Sequence, residues 1–316
     1  MTTSDPTPPR KSREKPPWLK VRLPGSDRYH DIKKRARELN LSTVCEEARC
    51  PNIGECWGGG TATFMVMGDT CTRGCRFCAV KTAKRPAPLD PNEPAHTAAA
   101  IAEMQLDYVV ITSVDRDDLP DQGANHFAAV IREVRRAAPR TKIEVLIPDF
   151  RRDYSLLARI VEAAPEVIAQ NLETVERLTA HVRDAKAGYR QSLDVLAEVK
   201  RQNPSMLTKS SLMVGVGETP DEMRAAMADL RAAGVDFLTI GQYLQPTPKH
   251  IPVEAFVHPD QFAAYEEMGL ALGFAYVASG PLVRSSYKAG EFFIARYIEG
   301  QRGVIRNDRP ADGARP

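Results

Sequence analysis

Six cysteines are the whole complement of this 316-residue chain, and all six fall between Cys45 and Cys78. They form two trios, Cys45-x4-Cys50-x5-Cys56 and Cys71-x3-Cys75-x2-Cys78. Disulfides that brace a domain are spread along it, so a cluster this local points to an inorganic site. Thiolate is the metal-binding form of cysteine and the usual ligand of iron–sulfur clusters. Structural zinc instead prefers two paired knuckles that close a set of four ligands. Here one C-x2-C, Cys75 to Cys78, stands without a second, and His30, His96, His126, His181, His250 and His258 are not spaced to complete a zinc site. Clusters are therefore favoured, with zinc and disulfides as the alternatives. Each trio supplies three thiolates, while a [4Fe–4S] cubane has four irons, so one corner per trio lacks a cysteine. A metal with an open position belongs to catalytic sites more often than to structural ones.

The elements around the trios read as a parallel α/β fold. Short apolar runs at 62–67, 108–112, 142–147, 167–171, 211–214 and 237–240, with a seventh at 274–278, look like strands buried on both faces. Amphipathic helices separate them. Phe127, Val130, Ile131 and Val134 make one apolar stripe, and Met223, Ala226, Met227 and Leu230 repeat the spacing. Thr219-Pro220-Asp221-Glu222 is a capping box with proline at the first helical position, and Gly234 follows that helix. Six such β–α units give a barrel or an open doubly wound sheet with right-handed connections. The first trio precedes the first strand. The second follows it at once, at the carboxyl end, where parallel α/β folds build their sites.

Composition sets bounds. Forty-three Lys and Arg stand against 41 Asp and Glu, a net charge of +2, with 43 % hydrophobic residues. Those values fit a globular protein and give no electrostatic reason to expect a nucleic-acid partner. No run reaches the ~20 apolar residues of a membrane span. Met1 to Lys20 has no apolar core, and its prolines oppose the amphipathic helix of a mitochondrial leader, so it reads as a disordered arm. The tail from Gly300 reads as a flexible end. A cytoplasmic location, where thiols stay reduced, follows as the expectation.

Cys71-Thr72-Arg73-Gly74-Cys75-Arg76-Phe77-Cys78 matches the signature of the radical S-adenosylmethionine (SAM) enzymes. Within them the chain resembles the lipoyl synthases over nearly its whole length. The likeness is carried by Pro17-Trp18-Leu19, Cys45-Glu46-Glu47-Ala48 with Cys50-Pro51-Asn52, Gly60 to Met65, Asn171-Leu172-Glu173-Thr174, and Arg284-Ser285-Ser286-Tyr287. It implies a partial parallel (β/α)6 barrel over 57–280, with a cysteine-rich extension at 1–56 and a C-terminal extension at 281–316.

The resemblance also implies the chemistry. Cys71, Cys75 and Cys78 would hold a [4Fe–4S] cluster whose fourth iron binds SAM, generating a 5′-deoxyadenosyl radical. Cys45, Cys50 and Cys56 would hold an auxiliary [4Fe–4S] cluster that serves as sulfur source, with Ser286 on its remaining iron. A serine oxygen is a harder, poorer match to iron than thiolate, which suits a ligand that must be released. Ser113, Asp115, Asn171 and Glu173 are candidate SAM contacts. Gly215, Gly217, Glu218, Gln242, Gln245 and Arg284 are weaker candidates near the same mouth. The implied reaction inserts sulfur at C6 and C8 of an octanoyl-lysine. Both carbons are unactivated, so no Ser-His-Asp or paired-carboxylate site is needed. The implied partners are an octanoylated lipoyl domain, from a 2-oxoacid dehydrogenase acyltransferase or the glycine-cleavage H protein, and a low-potential donor such as ferredoxin or flavodoxin. Arg73, Arg76, Lys81, Lys84 and Arg85 read as an exposed basic set able to steer an acidic partner. A different auxiliary-cluster radical SAM enzyme, acting on a free small molecule, is the alternative. A non-catalytic iron–sulfur or zinc protein is the alternative from another class.

Overall fold

In the computed structural model the described residues are 14–20, 27–38, 42–47, 50, 52–58, 63–286, 294, 297, 298 and 300. The expected flexible tail beyond Gly300 lies outside them. Seven strands run parallel in one sheet, in chain order: β1 Thr63–Val66, β2 Tyr108–Ser113, β3 Lys142–Leu146, β4 Val167–Ala169, β5 Leu207–Val214, β6 Phe237–Gln242 and β7 Tyr276–Gly280. Between successive strands lie α1 Glu93–Met104, α2 Ala124–Ala137, α3 Tyr154–Glu162, α4 Tyr189–Gln202, α5 Pro220–Ala232 and α6 Pro259–Ala271. β7 does not pair back to β1, so the barrel is partial and open. This is the α/β architecture expected.

The helices form where their apolar stripes find the sheet. Phe127, Val130, Ile131 and Val134 of α2 are fully buried against β2 and β3 in the largest core, as are Met223, Met227 and Leu230 of α5 in the second. Burying a side chain of that size stabilises by roughly 1.5–3 kcal/mol. The α5 capping box forms in full: Thr219 Oγ1 accepts from Glu222 N–H at 3.3 Å, and Glu222 accepts from Thr219 N–H at 2.9 Å. Alternate strand positions face the concave side. There Tyr108, Val110, Val167, Phe237 and Tyr276 fill the lower barrel.

One strand is longer than its apolar run. β5 begins at Leu207, four residues before Ser211, because Thr208, Lys209 and Ser210 are buried although polar. Lys209 Nζ donates to both oxygens of Glu144, at 2.7 and 2.9 Å, and Tyr108 Oη donates to the same carboxylate at 2.6 Å. A buried charge is tolerated only when so paired.

The N-terminal extension joins the sheet. Ser42–Thr43 pairs antiparallel with Met65 and Phe64 of β1 and forms its outer edge. The short helices Val44–Glu47 and Ile53–Gly58 follow, and Trp57 is wholly buried beside Tyr29 of the helix Asp27–Glu38. The expected disordered arm needs correction over its last residues. Pro17–Leu19 forms a turn, Leu19 is buried, and the Trp18 ring meets His258 edge-on at 5.1 Å. Two large apolar side chains in an otherwise polar arm give it something to bury. Residues 1–13 lie outside the described set.

Candidate active site

A cavity of about 530 Å³ opens at the carboxyl ends of the strands. Its wall brings together Cys71, Cys75 and Cys78 from the loop after β1, Cys50 from the N-terminal extension, and Ser286 from the segment after β7. Ser113 and Asp115 enter at the end of β2, and Asn171 and Glu173 after β4. Cys56 is buried in the helix Ile53–Gly58. Cys45 lies in the helix Val44–Glu47, with its side chain outside the described residues.

The second trio is pinned by loops from four strands. Thr72 N–H donates to Asp115 O at 3.0 Å, below β2. Gly74 N–H donates to Asp184 Oδ2 at 2.8 Å, in the loop after β4. His250, after β6, reaches the carbonyl of Cys78 with Nε2 at 2.9 Å. A carbonyl only accepts, so Nε2 carries the proton, and Nδ1 faces the Thr247 hydroxyl at 2.9 Å.

Arg73 supplies the fourth anchor. It is 4 % exposed. Its guanidinium is bidentate to Asp117 (3.0 and 2.9 Å) and to Asp149 after β3 (2.7 and 2.8 Å). The expectation of an exposed, steering Arg73 is therefore corrected: carboxylates at two strand ends draw it inward. Arg76, Lys81, Lys84 and Arg85 are exposed, but Arg76 bonds His181 and Lys81 pairs with Asp69.

Burial and backbone donors act on the three thiols in opposite senses. Burial pushes Cys71 and Cys75 up to about 12 and Cys78 up to about 11. Backbone N–H groups oppose that. Arg73 and Asp115 donate to Cys71 Sγ at 3.4 and 3.3 Å, and Asp184 donates to Cys75 Sγ at 3.3 Å. Such bonds stabilise sulfur-borne charge, as cluster ligation requires. None of the five cysteines with described side chains is joined to another by a disulfide. Among the described residues no three His, Cys, Asp or Glu side chains converge as ligands of one ion. In a cubane each ligand binds its own iron, so the ligands surround a volume rather than a point.

The wall also fits a polar ligand. Ser113 Oγ, Asp115 Oδ1 and Gln170 Oε1 are buried there without a hydrogen bond, although Asp115 Oδ1 lies 3.4 Å from Arg73 Nη1. Buried polar atoms left so are what a polar ligand satisfies. Burial pushes Asp115 up to about 6 against the pull of Arg73, and raises Glu173 against Arg183. Glu173 holds a left-handed φ of 69°. Such a conformation costs a non-glycine residue ~1–2 kcal/mol and clusters at working sites. It is held by Glu173 N–H to Ser211 O at 2.9 Å and Met213 N–H to Glu173 O at 2.8 Å, while Asn171 Nδ2 donates to its carboxylate at 3.0 Å.

Three weaker candidates turn out to be self-satisfied. Glu218 accepts from the N–H groups of Gly215 and Val216 at 2.6 and 2.9 Å, closing its own turn. The Gln242 amide donates to the carbonyls of Val214, Tyr243 and Ala255. Gln245 Nε2 donates to His250 O at 2.8 Å. Arg183 was missed from sequence. It is 7 % exposed, lines the cavity, and leaves Nε without a hydrogen bond. No sequence signal marks it, because it follows a short, irregular helix.

Comparison with known proteins gives concordant matches. The Radical SAM superfamily model matches residues 65–230, more than half of the chain, and the model for the N-terminal domain of lipoyl synthase matches residues 6–50. The chain is 61 % identical over 280 residues to the lipoyl synthase of Anaeromyxobacter sp. (strain Fw109-5), covering 89 % of this chain and 95 % of that one. It is 58 % identical over 292 residues to the mitochondrial lipoyl synthase of Branchiostoma floridae, covering 91 % and 78 %. Among solved structures, the FeFe-hydrogenase maturase HydG from Carboxydothermus hydrogenoformans aligns with a TM-score of 0.53 at 12 % identity over 77 % of this chain and 57 % of that one. Methylornithine synthase aligns with 0.51 at 13 % identity over 86 % and 91 %. At such identities these two show the fold alone.

Proposed function

The chain belongs to the lipoyl synthase family of radical SAM enzymes, and from that premise we propose how its own residues divide the work. The reaction is the family's: insertion of two sulfur atoms, at C6 and C8, into an octanoyl group carried on a lipoyl carrier protein, with SAM and two [4Fe–4S] clusters as cofactors. When bound, these groups supply an electron to SAM, the radical that takes hydrogen from an unactivated carbon, and the sulfur.

In this reading Cys71, Cys75 and Cys78 hold the SAM-binding cluster, and Arg73, Asp184 and His250 fix the backbone that presents them. Ser113, Asp115, Asn171 and Glu173 receive the polar parts of SAM. Cys45, Cys50 and Cys56 hold the auxiliary cluster, and Ser286 supplies its last, replaceable ligand. Residues 1–56 and 281–316 thus act as two extensions that complete the mouth of the 57–280 barrel. The observation that carries the reading is the single cavity that gathers Cys71, Cys75, Cys78, Cys50 and Ser286 from three separate stretches of chain.

The carrier is an octanoylated domain of a 2-oxoacid dehydrogenase acyltransferase or the glycine-cleavage H protein, and the electron donor a ferredoxin or flavodoxin. Exposed Lys84 and Arg85 beside the cluster loop suit acidic partners of either kind. No helix among the described residues is long and apolar enough to cross a membrane. The cytoplasm is the compartment proposed, since thiols stay reduced there; relatives named mitochondrial place the same activity elsewhere in their cells. The test is mass spectrometry of an octanoyl-lysyl domain after anaerobic incubation with the reconstituted chain, SAM and reductant. A gain of two sulfurs is expected. An unchanged octanoyl group despite SAM cleavage would sink the assignment.

A further inference from the structure

Asn52 stands between two proposed ligands of the auxiliary site, Cys50 and Cys56. Its backbone belongs to the N-terminal side. The Asn52 carbonyl accepts from Cys56 N–H at 2.9 Å, which starts the short helix that carries Cys56. Its side chain points elsewhere. Asn52 is 2 % exposed, and Nδ2 donates to Leu282 O at 2.6 Å. Leu282 lies four residues before Ser286, in the segment that leaves β7.

That segment is guided at a second point. Val283 N–H turns back to Gly280 O at 3.1 Å. Val283 O then passes so close to Gly241, at the end of β6, that a Cβ there would lie 2.0 Å from it. The φ of Gly241 is not in the left-handed region, so the position requires glycine for space and not for conformation. The strap is therefore seated on β6 by a close approach and tied to the Cys50–Cys56 turn by one amide.

We propose that Asn52 is a positioning residue that latches the strap 282–286 onto the Cys50–Cys56 turn and so sets where Ser286 stands in the auxiliary site. The inference rests on the reading of Ser286 as an auxiliary ligand. Asn52 touches no reacting atom. Its hydrogen bond couples the two extensions, because one end is fixed by the Cys56 helix and the other by the residue pair that precedes Arg284.

The variants that test it are Asn52→Ala and Asn52→Ser in the full chain. Serine is neutral and a good helix N-cap, but its hydroxyl sits one bond nearer the backbone and falls short of Leu282 O. A role confined to starting the Cys56 helix therefore leaves Asn52→Ser near wild type, whereas the latch makes it behave like Asn52→Ala. Two quantities are read. In the metal-free chain, amide hydrogen exchange of residues 282–286 should quicken by about three- to tenfold in both variants. In the reconstituted chain, iron should leave the auxiliary site faster under a chelator in both, as in Ser286→Ala. Wild-type exchange and wild-type iron release in Asn52→Ser would overturn the latch. Wild-type iron release in Ser286→Ala would instead overturn the reading of Ser286, while the exchange measurement would still judge the latch by itself.

Discussion

Asn52 Nδ2 and the carbonyl of Leu282 meet at 2.6 Å across a sequence separation of 230 residues. The contact joins the N-terminal segment to the segment after β7, whose next residues, Val283 to Ser286, line the cavity that holds the second cysteine trio. The architecture thus places a sulfur-rich N-terminal turn and a serine-bearing C-terminal strap over one mouth.

The two trios are expected to separate functionally. Cys75 is a ligand candidate in the loop after β1, and Cys50 lies in the extension across the same cavity. Cys75→Ala is expected to abolish SAM cleavage altogether. Cys50→Ala is expected to keep measurable 5′-deoxyadenosine formation while losing sulfur insertion. Chromatographic assay of 5′-deoxyadenosine beside mass spectrometry of the octanoyl product decides both, and SAM cleavage in Cys75→Ala at the wild-type level would contradict the assignment.

Arg73 carries stability as well as position. Arg73→Met leaves Asp149 buried without the Arg73 cation and Asp117 with Lys186 alone, at 3.2 Å. Removing one partner of a buried pair costs about 3–5 kcal/mol, read as a lower urea midpoint. The pH dependence has a definite sign. Burial pushes Asp117 upward, but the hydrogen bonds and charges of Arg73, and after it Lys186, outweigh burial and hold the carboxyl down at about 2, below its ordinary 3.8. A lowered folded value contributes stability that is fully present above 3.8 and is lost as pH falls through about 2. Arg73→Met should lose the Arg73 share of this contribution from its acid limb, with Lys186 keeping the rest. A midpoint within about 0.5 kcal/mol of wild type would refute the account.

Gly241 is a steric gate on the strap. In Gly241→Ala the new methyl collides with Val283 O. Overpacking of this kind costs typically ~1–3 kcal/mol, and here the strap is the part free to move. Sulfur insertion is expected to fall with SAM cleavage largely kept. Equal losses of both activities would show that β6 itself, and not the strap, had been displaced.

His250 orients the cluster loop through the Cys78 carbonyl. Removing a group that supports a metal ligand typically lowers metal affinity or activity about 10–100-fold. His250→Ala should show a loss of that size in SAM cleavage. His250→Gln, which can still donate to the carbonyl, should recover part of it, and no recovery would argue against a role for the hydrogen bond.

Much of this was legible in the sequence, for physical reasons. A strand covered on both faces must be apolar, so β2, β3 and β6 announce themselves. Stripes such as Phe127 to Val134 do the same for the helices. The cysteine spacings marked the cluster loop because ligation needs those side chains at those positions. Polar residues that are buried in pairs were not legible. Lys209 reads as a surface lysine until Glu144 is placed opposite it, which hid half of β5. Arg73 reads as a surface arginine until Asp117 and Asp149 arrive from two other loops. Glu218 and Gln242 looked available for a ligand, yet their partners are backbone groups that no side-chain pattern reveals. Asn52 is the same case at the longest range.

The central claim is that the cavity holds two distinct sites and that Ser286 completes the sulfur-donating one. The most direct test incubates Ser286→Ala and wild type with SAM, reductant and an octanoyl-lysyl carrier domain, and reads product mass and 5′-deoxyadenosine together. Two sulfurs gained with wild type, and none with Ser286→Ala while SAM is still cleaved, is the expected result. A gain of two sulfurs with Ser286→Ala would contradict it.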